Sequence, residues 1–125
     1  MRALLLIVAL SILLSSCTPG VFLNLYNATD ETLSVSKAQS FTTIPAHTAA
    51  DISLGYQAGE RVLIRGSHYA WVYRPHSLSP PYTMFQHQGI VMRAFARINR
   101  HGEISIIVPA GAQQPEGFPV RPRTI

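Results

Sequence analysis

The sequence predicts an all-β fold, either a small antiparallel β-sandwich or a small barrel, and three observations carry that expectation. Beyond residue 20, apolar side chains recur at every second position over short stretches, the period of a half-buried strand. Those stretches are filled with Val, Ile, Leu, Tyr and Phe, several of them types that fit a pleated surface. Turn-forming clusters interrupt them at short, regular intervals, so that about seven or eight strands and no convincing helix occupy the span.

The elements follow in order. Val21 to Tyr26 alternates with Val21, Leu23 and Leu25 on one face, and Thr32 to Ser36 alternates with Leu33 and Val35 inward. Between them Asn27-Ala28-Thr29-Asp30 is turn chemistry, because Asn and Asp side chains close local turns. The two segments therefore read as a hairpin. The Asn-Ala-Thr triplet is formally a glycosylation sequon. Lys37 to Thr43 reads as a polar connection with one apolar residue, Phe41, and Ile44 to His47 as a short edge piece limited by Pro45. Asp51 to Leu54 alternates, Gly55 to Gly59 turns, and Arg61 to Arg65 places Val62 and Ile64 inward. Gly66-Ser67-His68 leads into Tyr69-Ala70-Trp71-Val72-Tyr73, with three aromatic rings on one face.

Arg74 to Gly89 breaks the rhythm. It holds Pro75, Pro80 and Pro81, two histidines, and the rings of Tyr82 and Phe85 without sustained periodicity. A loop of this length in a compact domain is uncommon and often functional. Ile90 to Ile98 then alternates strictly, with Ile90, Met92, Ala94, Ala96 and Ile98 on the core face and Val91, Arg93, Phe95 and Arg97 on an amphipathic face. Asn99-Arg100-His101-Gly102 is a hairpin connection that needs positive φ at its glycine. Glu103 to Val108 completes the pair, and from Pro109 the composition shifts to Pro, Gly, Gln and Arg, a flexible tail over 109–125. The strand rhythm resembles immunoglobulin-like domains in general architecture, without the paired cysteines of that class.

The N-terminus has a different character. Arg2 precedes an uncharged, mostly apolar run from Ala3 to Leu14, followed by Ser15-Ser16-Cys17 and then Thr18-Pro19-Gly20. A basic start, a short apolar stretch and small residues before a cleavage point form the layout of a secretory signal. The run is shorter than the roughly 20 residues a spanning helix needs. Leu14-Ser15-Ser16-Cys17 resembles the lipobox of bacterial lipoproteins. The resemblance implies a helical signal peptide over 1–16 cleaved before Cys17, a diacylglycerol on the Cys17 thiol and an acylated amino group. Residues 17–20 would be the lipidated cysteine and tether, and 21–108 the sandwich domain. Thr18, in place of the aspartate that favours inner-membrane retention, implies the periplasm-facing side of the outer membrane.

Composition limits the function classes. The net charge of +4 includes Arg2, which leaves nine basic against six acidic side chains beyond the signal. The basic residues are scattered, so a nucleic-acid partner is not expected. Cys17 is the single cysteine, so no disulfide, thiol nucleophile or cysteine-based zinc site is available to the domain. No carboxylate pair is singled out for glycan hydrolysis, and no serine sits in a nucleophile-elbow pattern. His68, His76 and His87 lack the close spacing of a zinc motif.

The expectation is therefore a non-catalytic domain with no cofactor, no metal and no identified small-molecule substrate. It would be held to the membrane by lipid on Cys17 and bind a protein or envelope component. The candidate binding surface is Tyr69, Trp71, Tyr73, Arg74, His76, Tyr82, Phe85 and His87, because Trp, Tyr and Arg dominate interaction hot spots. The alternative is a cell-wall-directed enzyme or metal-binding periplasmic domain in which His68, His76 and His87 converge.

Overall fold

The computed structural model describes residues 20–37, 40–55 and 60–123. The expected signal, Cys17 and the tether up to Pro19 lie outside the described residues, as does most of the Gly55 to Gly59 turn. The described residues form nine strands in two sheets, an open sandwich and not a barrel. The first sheet contains β1 (Gly20–Asn27), β4 (Ala49–Ser53), β7 (Gln86–Gln88), β8 (Val91–Ile98) and β9 (Ile104–Ile106). Its order is β4-β1-β8, with β7 alongside the first part of β8 and β9 alongside the last. The second sheet is β3 (Ser40–Ile44), β2 (Leu33–Lys37), β5 (Val62–Arg65) and β6 (Ala70–Tyr73), in that order.

The alternation read from sequence is the alternation of the core. Leu23 and Leu25 of β1, Leu33 and Val35 of β2, Val62 and Ile64 of β5, Ala94, Ala96 and Ile98 of β8, and Ile104 and Ile106 of β9 are all buried in one cluster. Each of these five strands therefore has one dry face, as period-two patterning requires. Lys37 shares the inward face of β2, and its ammonium donates to the Ser53 carbonyl at 2.9 Å, bolting the second sheet to β4 of the first.

Several expectations need correction. The segments 21–26 and 32–36 are not a hairpin, and not every pair is antiparallel. β1 runs parallel to β8 over its whole length, from Gly20↔Val91 to Asn27↔Ile98, and antiparallel to β4 on its other side. β2 pairs with β3 and β5 instead. The Asn27–Asp30 turn carries the chain across to the other sheet and does not fold it back. Asn27 is fully buried. Its amide nitrogen donates to the carbonyls of Glu31 and Ile44, and its amide oxygen accepts from the Thr29 N–H and hydroxyl. That uses both amide protons and both lone pairs. The sequon nitrogen is accordingly committed to the interior, with no free N–H for a glycan.

The polar connection at 37–43 is largely strand β3. At the sheet edge only Ile44 reaches the core, so Ser40, Thr42 and Thr43 suffice elsewhere, and polar side chains blunt an edge against further pairing. The edge piece expected at 44–47 is a turn. His47 adopts φ 58, a conformation uncommon outside glycine, and is held there by its N–H donating to the Asn27 carbonyl.

The Arg74 to Gly89 loop is ordered: two 3-10 turns, Pro75–Leu78 and Tyr82–Met84, precede β7. Pro75, Leu78 and Pro80 are buried, so the segment covers core as it passes from the second sheet to the first.

Up to Arg123 the segment after Pro109 is held against the sandwich. Gln114 donates to and accepts from the backbone of Ile106, and Val120 is buried and bridges Ile104. Arg123 bridges Val72. A Pro/Gly/Arg-rich composition reads as flexible, yet Val120 and Phe118 supply apolar anchors that strap β9 of one sheet to β6 of the other.

Replacing Asn27 with Ala removes the partners of the Glu31 and Ile44 carbonyls and the Thr29 amide. At about 1 kcal/mol for each buried group, this is expected to lower unfolding stability by about 3 kcal/mol, read as the shift in denaturant midpoint. Ser105→Ala, a half-exposed β9 substitution, should leave the midpoint nearly unchanged.

Candidate functional site

The structure divides the predicted binding residues into two groups. Trp71 and Tyr73 lie on the inward face of β6, opposite Ile64 and Val62 of β5, and Tyr69 immediately precedes the strand. Tyr73 is buried, and its hydroxyl donates to the Gly102 carbonyl. Burial pushes the phenol well above its ordinary range. Trp71 is half-buried, with Tyr69 stacked on one side (centroids 4.6 Å apart, 18° between planes) and Gly102 close by. A Cβ on Gly102 would come within 2.7 Å of the indole, and its φ of +75 independently favours glycine. The stripe is thus the aromatic margin of the core. Tyr73 is corrected from binding residue to core residue, and Phe85 is likewise half-buried against the core.

Arg74, His76, Tyr82 and His87 remain exposed. The Tyr82 and His87 rings meet at 5.1 Å, tilted by 53°. His87 lies opposite Met92 of β8, which lies opposite Val21 of β1. The pair therefore belongs to the end of the sandwich where Gly20 begins β1.

The opposite end carries a separate polar network. Glu31, after the buried Asn27–Thr29 turn, accepts from the His68 backbone N–H at 3.0 Å and sits 2.8 Å from His68 Nδ1. Gly66 makes room for it, since a Cβ there would collide with the carboxylate. The bond from the His68 backbone, followed by that from its ring, holds the Glu31 carboxyl below its ordinary value. Nearby, His47 pairs with Asp30 at 3.3 Å. His68 and His87 are therefore at opposite ends of the sandwich and do not converge. Among the described residues, no three His, Cys, Asp or Glu side chains are grouped to hold a metal.

A third feature, not anticipated from sequence, crosses the outer face of the first sheet. Arg93 of β8 reaches over β1 to grip both carboxylate oxygens of Asp51 on β4, at 2.8 and 3.0 Å for the shorter bonds. Asn24 of β1 donates to Asp51 at 2.9 Å, and Gln88 of β7 accepts from Arg93 at 3.2 Å. Partial burial works against the Asp51 charge, and the bonds from Arg93 and Asn24 outweigh it, leaving the carboxyl lowered. The strip is a structural clamp over four strands. It joins residues far apart in sequence through the β1–β8 pairing, so periodicity alone gave no signal for it.

No protein-family model matches the chain, and neither the curated proteins nor the solved structures contain a match to it.

Acid should weaken the fold through these carboxylates. A carboxyl held lower in the folded than in the unfolded chain contributes stability above its unfolded value and loses it as pH falls through the folded one. For Glu31 the unfolded reference is 4.5. Denaturant midpoints measured at neutral pH and at about pH 3 should therefore fall less for Glu31→Gln than for wild type. Asp51, still clamped, should keep the remaining slope above zero.

Proposed function

We propose that this chain is a lipoprotein anchored through Cys17 on the periplasmic side of the outer membrane, and that its sandwich is a non-catalytic module binding a protein or envelope component beside the membrane. The single observation that carries the reading is the junction of anchor and fold. Gly20, three residues after the lipobox cysteine, is already paired in β1. At 3.3 to 3.6 Å per extended residue, such a tether reaches only about 10 Å, so the Gly20 end of the domain stays at the surface to which the lipid is fixed.

Further support comes from the surface near that end. Arg74, His76, Tyr82 and His87 are exposed there or on the loop leading to it, and the loop that presents them is braced by Leu78. Four of the six carboxylates that acid–base chemistry could use are engaged separately: Asp30 with His47, Glu31 with His68, Asp51 with Arg93 and Glu103 with Arg121. Among the described residues no helix is long and apolar enough to cross a membrane.

Membrane fractionation of wild type beside Cys17→Ala, each with a photocrosslinking side chain at position 82, tests the reading. Wild type should sediment with the outer membrane and capture an envelope component through position 82. The variant should lose both. Equal solubility of the two forms would refute the anchor, and capture equal to that from position 105 would refute the binding surface.

A further inference from the structure

The pairing of strands gathers exposed apolar side chains at one end of the molecule. Val21 and Ile90 share the inward-facing parity of buried Leu23 and Ala94, yet they are 39% and 52% exposed. The core therefore stops short of the Gly20 end and leaves its last inward side chains in the open. Tyr82, 69% exposed, joins them through its ring contact with His87, in the row Val21, Met92, His87. In the second sheet Phe41, 68% exposed, lies opposite Ser36, next to the Lys37 row whose ammonium bonds the Ser53 carbonyl. Of the large apolar side chains most exposed among the described residues, only Ile107 lies elsewhere.

Charge is mixed at both ends of the sandwich. Arg61 and Arg74 flank the paired residues Val62 and Tyr73, at the Lys37 end of the second sheet, and both are exposed. Glu60 directly precedes Arg61, and the opposite end, near the Asn27 and Gly102 turns, carries Asp30, Glu31 and Glu103 together with Arg65, Arg97, Arg100 and Arg121. What sets the Gly20 end apart is its exposed apolar side chains, and a surface combining these with arginines matches the boundary of an anionic bilayer. There apolar groups enter the acyl margin while cations meet phosphate.

We infer that the Gly20 end of the sandwich seats directly on phospholipid, with Val21, Phe41, Tyr82 and Ile90 dipping into the interface and Arg61 and Arg74 meeting anionic headgroups. This rests on the anchored reading and names the envelope component that this end contacts. What favours lipid over a protein is the entry point of the chain. The residue that follows the tether, Gly20, donates its N–H to the carbonyl of Ile90 itself, so the apolar end and the site of attachment coincide.

The test uses the full, lipidated chain reconstituted in phosphatidylglycerol-containing vesicles that carry a phospholipid with a diazirine just below the headgroup. After irradiation, peptides bearing Phe41, Tyr82 and Ile90 should carry several-fold more lipid adducts than peptides bearing His47 or Arg100. Phe41→Asp combined with Ile90→Asp, both at exposed positions, should cut the adducts on the Tyr82 peptide several-fold while the denaturant midpoint holds. Even labelling of both ends, or labelling confined to the His47 end, would overturn the seating and leave the anchor standing. So would adducts that appear only as crosslinks to another protein in native membranes. Failure of wild type to stay with the vesicles would overturn both.

Discussion

The parallel pairing of β1 with β8 is the constraint on which the rest of the molecule depends. It puts β1, the first strand after the N-terminal segment, in the interior of the larger sheet with both edges satisfied, by β8 on one side and β4 on the other. It sets Gly20 beside Val91 at one end and Asn27 beside Ile98 at the other, which gives the sandwich its polarity. With Cys17 the only cysteine, no disulfide can supply that cross-link. Long-range registration therefore rests on backbone ladders and the core. The Asp51–Arg93 clamp over β1 and the Lys37 bond between the sheets add polar fixings where the chain would otherwise be free to slide.

The polarity has chemical content. At the Asn27 end, polar groups are consumed by one another: Asn27 by three backbone segments, Glu31 by His68, and Asn99 by the turn that its side chain closes. At the Gly20 end the core runs out before the strands do, and apolar side chains remain in water. A strand end normally tapers into polar residues, so the asymmetry is written into Val21, Ile90 and Phe41. Glycine serves the closed end in two ways, by accepting the left-handed conformation at Gly102 beneath Trp71 and by giving the Glu31 carboxylate space at Gly66.

Much of the fold was legible in sequence because it depends on period two. The inward faces of β2, β5 and the later parts of β8 and β9 follow directly from alternation, and so does the β8–β9 hairpin with its positive-φ Gly102. Partnership between strands was not legible. Asn27 to Asp30 has the composition of a hairpin turn, and only the burial of Asn27 between Glu31 and Ile44 makes it a crossing between sheets. β3 and β7 escaped because edge strands with one or no core residue carry no alternation. The tail escaped because two apolar anchors, Phe118 and Val120, are too sparse to register against Pro and Gly. For the candidate site, sequence found the loop but over-read the aromatic stripe: rings at every second position on a strand next to buried Val62 and Ile64 face inward with them. Val21 and Ile90 were read as core for the same reason, since alternation tells which face a residue takes and not where the opposing sheet ends.

We propose that this polarity serves a lipid anchor at Cys17. The most direct measurement is the mass of the N-terminal peptide of the protein extracted from membranes of its host. The expected result is a chain that begins at Cys17, with residues 1–16 absent and the added mass of a diacylglycerol and a further acyl group. A peptide with an unmodified Cys17, or a chain that starts at another residue, would contradict it.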